Sequence, residues 1–221
     1  MYFTDDVFSG PTWWIGHVLY WPVLLHAIRH AQWWRLRNSA DLNVLFGMTM
    51  AVAVLWVFRA GFYQGLSLHL LGATLLTLMF SWAFALMSMS VVILITSLFM
   101  QDGMLAFGMN ALLFGALPVG FSFLIYRNVD RYLPNHFFIY IFLNAFFGAA
   151  LTIAVVGLAS AGVLYLADVY TMEHLSYNFL RYLPLLMFPE AFITGMLMTL
   201  FVLYYPQWVT TFDDLRYLKN H

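Results

Sequence analysis

The side chains of this chain that could do chemistry are seven histidines and one carboxylate, Glu190, set deep in an apolar run. His69 is the only His, Asp, Glu, Lys or Arg between Gly61 and Phe80. His17 falls about ten residues into an apolar stretch that begins near Val7, and His174 lies in Leu166–Asn178. His26 and His30 are four apart and share one helix face, a spacing that can chelate a metal. Imidazole nitrogen suits divalent transition metals. A lone histidine at a helix end is equally at home in an interfacial hydrogen bond. The His26/His30 pair, beside Arg29, could also serve an interface or a partner. A carboxylate among apolar residues is costly and turns toward a partner. Glu190, just after Pro189, is then either a proton or cation site or a hydrogen bond that fastens helices, and the second reading is preferred. Methionines two apart, such as Met87/Met89, point about 200° apart on a helix and do not chelate together. They read as apolar filler.

The elements that carry these residues follow from composition. The chain has 221 residues, 63% hydrophobic and only 9% charged. A soluble domain carries roughly 25% charged residues, so this chain cannot cover its own surface in water. It reads as a single integral-membrane domain, residues 1–221, with all-α architecture. It has no cysteine, hence no disulfide or thiolate metal site, and no basic patch that would favour nucleic acid. The opening MYFTDDVFSG lacks the basic start of a signal peptide and is expected to be retained.

Charged residues divide the chain into apolar runs at 7–28, 42–58, 60–101, 103–126, 132–167 and 182–212. The 60–101 run would make roughly 63 Å of helix, about two bilayer cores. Placing Arg29, Arg35, Arg37, Arg127, Arg131, Arg216 and Lys219 on the cytoplasmic side requires that run to cross twice, with an inner turn near Phe80-Ser81-Trp82. The expectation is seven transmembrane helices, N-terminus outside and C-terminus inside. The 132–167 run is long for one crossing and is expected to tilt or project. The outer face then collects the N-terminal peptide, His69, Met100–Gly103 and Leu166–Asn178, with Asp5, Asp6, Asp102, Asp168 and Glu173. Acids with histidines there would favour an arriving cation; outer loops are also often acidic for want of Lys and Arg.

Three stretches, SLHLLGATLLTLMFSWAFAL, FMQDGMLAFGMNAL and PEAFITGMLMTLFV, occur in that order. They resemble the membrane substrate-binding component of energy-coupling-factor cobalt and nickel transporters, the CbiM/NikM family. The matching residues are His69, Gly72 and Ala73; Gln101, Asp102, Gly103, Gly108 and Asn110; and Glu190, Ile193, Thr194 and Gly195. The resemblance covers most of the chain. It implies a metal held near the outer face by the N-terminal amine of Met1, a second-position histidine and a further histidine that His69 matches. Here the second residue is Tyr2, which marks a divergent member and leaves His17 or His174 to substitute. Leu113 and Phe114 also stand where the family often has a second Asn and a Met, and Gly103-Met104 replaces a doubled glycine. The resemblance further implies that Ala27 and Ala31 meet a membrane scaffold subunit, with ATPase subunits as separate chains. No phosphate-binding G-x-x-x-x-G-K-[ST] loop occurs.

The function read at this stage is capture and uptake of a transition-metal ion, Ni2+ or Co2+ first and Cu2+ or Zn2+ next, in a bacterial or archaeal cytoplasmic membrane. Other readings are a haem-binding electron-transfer protein, with His17/His69 or His26/His136 as axial pairs, and an accessory protein that kept the fold without metal capture. Catalysis is not expected, since no nucleophile–base pair is evident.

Overall fold

The structure, a computed structural model, describes residues 2–8, 12–58 and 69–213. Met1, Arg59, Arg216 and Lys219 lie outside them. The described residues form helices and connecting turns, without strands. In chain order the helices are α1 (Thr12–His30), α2 (Ser39–Val57), α3 (Ala73–Met100), α4 (Phe107–Tyr132), α5 (Phe137–Leu166), α6 (Met172–Asn178) and α7 (Leu183–Tyr204). Among the described residues, five segments are long and apolar enough to cross a membrane: α2, α3, α4, α5, and Met172–Tyr204, which takes in α6 and α7. α1 matches α2 in length at 19 residues but spends positions on His17, His26, Arg29 and His30.

The turn expected at residues 80–82 is a break inside α3. Ser81 has φ 67° and ψ 168° between two helical stretches. Such a break strands the carbonyls of the preceding turn. Two of them find donors beyond α7: Thr210 N–H donates to Met79 O at 2.9 Å and the Thr211 hydroxyl to Leu78 O at 2.7 Å. Arg35, Phe80, Phe84, Gln207 and Trp208 line one cleft there, so the turn after α1, the Ser81 break and the end of α7 share one end of the bundle.

α1 crosses α4 at backbone contact. A Cβ on Gly16 would lie 2.5 Å from Met109 N, and one on Gly108 2.5 Å from His17 N. Only residues without side chains allow that approach. Gly157 meets Leu183, and Gly195 meets Phe146. α4 carries a π-helical stretch at Ala111–Ala116 and α5 one at Tyr140–Phe147. α5 runs for 30 residues, in line with the long 132–167 run. The connection expected at 166–178 holds a short helix, α6, whose first turn is capped by Thr171 Oγ1 accepting from His174 N–H at 3.3 Å.

Candidate metal site

Residues 2–8 do not extend the first span. They enter the bundle: Tyr2 is 2% exposed and Phe3 is fully buried. Non-helical backbone at that depth must have its polar groups satisfied by the protein. Asn110 does this with both ends of its amide. Its Oδ1 accepts from Phe3 N–H and its Nδ2 donates to Phe3 O, each at 2.8 Å. Asn110 is the last residue before the π-helical stretch of α4. Asp102 Oδ1 accepts from the N–H of Asp5 at 2.9 Å and of Gly103 at 2.6 Å. Asp5 Oδ1 in turn accepts from Ala106 N–H at 2.9 Å, at the start of α4, where a helix end favours negative charge. Phe3 stacks edge-on with Phe8, and Phe8 with Trp13, which closes the peptide against α1.

Tyr2 has a seat of its own. Its hydroxyl lies 2.8 Å from Ser97 Oγ and 2.7 Å from Asp102 O. Gly103, at φ 80°, makes room: a Cβ there would collide with that hydroxyl. Sequence reasoning treats Tyr2 as a missing imidazole. The structure gives it a different task, which is to fasten the start of the peptide between α3 and the loop after it.

His69 lies at the far end of α2 from the arginine-bearing turn. Its ring is 4.4 Å from that of Trp56, and it is buried. Leu70 O is 3.0 Å from His69 Nδ1. A carbonyl only accepts, so Nδ1 carries the proton and the lone pair of the neutral ring sits on Nε2. The segment after His69 is held from two sides. Trp56 Nε1–H donates to Leu71 O at 3.0 Å. Glu190, 3% exposed on α7, accepts from Leu71 N–H at 2.7 Å and Gly72 N–H at 2.9 Å. These are free amides at the start of α3, where its dipole also favours the carboxylate. Glu190 is thus the fastening hydrogen-bond acceptor. Gly72, at φ 70°, turns the chain into α3.

The other sequence candidates are not drawn to this place. His17 Nε2 is 3.0 Å from Leu105 O, on α1 beside Trp14 and Trp21. His174 stacks on Tyr170 at 4.7 Å, in the turn and short helix between α5 and α7. His136 Nδ1 accepts from Phe138 N–H at 3.2 Å and caps α5. Among the described residues, no three His, Asp or Glu side chains gather as a metal-holding group. Met1 lies outside those residues. Ala27, read as a partner surface, is fully buried against the chain's own core, and Ala31 is half-buried beside it. Their small side chains let α1 approach its own bundle.

Known proteins place this arrangement. The family model described as the cobalt uptake substrate-specific transmembrane region matches residues 3–208. A crystal structure of a truncated transition-metal transporter superposes with TM-score 0.77 at 21% identity, covering 92% of this chain and 98% of that one. Another, of a transition-metal transporter, superposes with TM-score 0.75 at 22% identity, covering 98% and 96%. No curated protein matches. With the match running through nearly the whole chain, this protein belongs to the cobalt uptake substrate-specific transmembrane family.

Proposed function

We propose that the chain is the substrate-binding membrane subunit of a transition-metal uptake system, taking Ni2+ or Co2+ from outside through Met1 and His69. The observation that carries this reading is the N-terminal peptide itself. Non-helical backbone inserted into an apolar bundle is expensive, and Asn110, Asp102 and Ser97 all serve to hold it. That expenditure fits a peptide whose leading amine is a ligand. His69 supports it from the other side: its ring is fixed by Leu70 and Trp56, and its segment by Glu190. With the Tyr2 hydroxyl seated on Ser97 and Asp102, the side chain of the second residue adds no imidazole to this set.

We further read the chain as one domain with seven passages of a bacterial or archaeal cytoplasmic membrane, N-terminus outside. α1, α2, the stretch from His69 to Phe80, the part of α3 after Ser81, α4, α5 and α7 would be the passages. The arginines of 29–37, the Ser81 break and the end of α7 would face the cytoplasm. ATP hydrolysis belongs to separate ATPase chains joined through a scaffold subunit, since no phosphate-binding loop is present.

The test is metal titration of the purified protein with an untagged N-terminus. Ni2+, Co2+, Cu2+ and Zn2+ are compared for the native chain and His69→Ala. Tight binding of one ion, lost in the variant and weakened at acidic pH where ligands protonate, is the expected result. Binding indifferent to His69 would refute the site, and a Soret band would turn the reading to haem.

A further inference from the structure

The His26/His30 pair has no part in the site above. It sits at the opposite end of α2 from His69, roughly 25 Å away along that helix. Both residues are exposed at the end of α1. Their rings are 4.1 Å apart and inclined by 33°, and His26 stacks on Trp82 at 5.6 Å. His30 Nδ1 lies 2.9 Å from His26 O. That carbonyl can only accept, so Nδ1–H donates and the lone pair of the neutral His30 ring is on Nε2. This is the carbonyl-backed imidazole typical of metal ligands. His30 is also the last residue of α1, where the unpaired carbonyls give a partial negative charge that favours a cation. Beside it, His30, Gln32 and Ser81 share a small cleft of about 40 Å3.

We infer that His26 and His30 form a second, two-imidazole site for a divalent first-row transition-metal ion at the arginine-bearing end of the bundle. Two nitrogens four residues apart on one helix close a chelate, and water completes the coordination. Arg29, three residues from His26, adds a repelling charge, which keeps the affinity modest. A weak site at the end opposite His69 suits an ion that is leaving. The site itself rests on its own geometry; only this role depends on the proposed function.

The test uses the full chain without a polyhistidine tag. Cu2+ and Ni2+ are titrated against native protein, His26→Gln, His30→Gln and His69→Ala. Both glutamine changes are at exposed positions and leave the fold intact. The native chain is expected to bind a second, weaker equivalent. Its Cu2+ paramagnetic resonance spectrum should show coupling to two imidazole nitrogens. Either glutamine change should weaken that equivalent by about tenfold or more, as the chelate opens, and leave the tighter one unchanged. His69→Ala should leave the weaker equivalent in place. A weaker equivalent that survives both glutamine changes, or is missing from the native chain, overturns the inference. If His69→Ala alters nothing while the glutamine changes act as described, the second site stands and the proposed capture site falls.

Discussion

Asn110 shows what a single residue does here. Its amide satisfies both polar groups of Phe3, as a neighbouring strand would. Asn110→Leu leaves a buried N–H and C=O unpaired, which costs about 1–3 kcal/mol each. The expected outcome is a lowered melting temperature and rapid hydrogen exchange at Phe3, with the helices otherwise protected. Glu190→Gln removes one of the two acceptors offered to Leu71 and Gly72 and aims an NH2 at an N–H. It is expected to weaken metal binding severalfold without Glu190 touching the ion. Affinity equal to that of the native chain would show that the His69 segment holds itself. Glu190 as a fastener was legible in the sequence, because a deep carboxylate needs donors. The target was not, since Leu71 and Gly72 contribute backbone amides, which carry no sequence signal. The seat of Tyr2 was not legible for a related reason: its hydroxyl partners lie 95 and 100 residues away.

Among the elements, the crossing of α1 and α4 depends on two glycines that meet at backbone contact. Gly16→Ala or Gly108→Ala must push the helices apart, and a loss of about 1–3 kcal/mol is expected for such overpacking. Thermal unfolding in detergent checks this, with Gly47→Ala as control, because a Cβ there meets nothing within 4 Å. Helix positions were readable from the apolar runs, and the break at Ser81 falls where charge parity asked for a turn. It carries no Gly or Pro to mark it, and the donors to its free carbonyls, Thr210 and Thr211, lie far along the chain. The entry of residues 2–8 into the core was not readable. Their apolar residues simply continue the run that becomes α1.

The whole molecule offers a direct test of sidedness, since the chain contains no cysteine. Exposed Glu173 and Gln32 are each changed to cysteine. In intact cells a membrane-impermeant maleimide should label Glu173→Cys, and label Gln32→Cys only after permeabilisation. The reverse pattern would invert the proposed orientation. The fold also has a history in time. Phe3 leaves the ribosome 107 residues before Asn110, its partner. At about 5–20 residues per second, that gap is roughly 5–20 s. For that interval the first segment must wait outside the assembling bundle, solvated or chaperoned. The residues made first thus dock only once α4 is in the membrane, and the segment after His69 waits longer still, for Glu190 of α7.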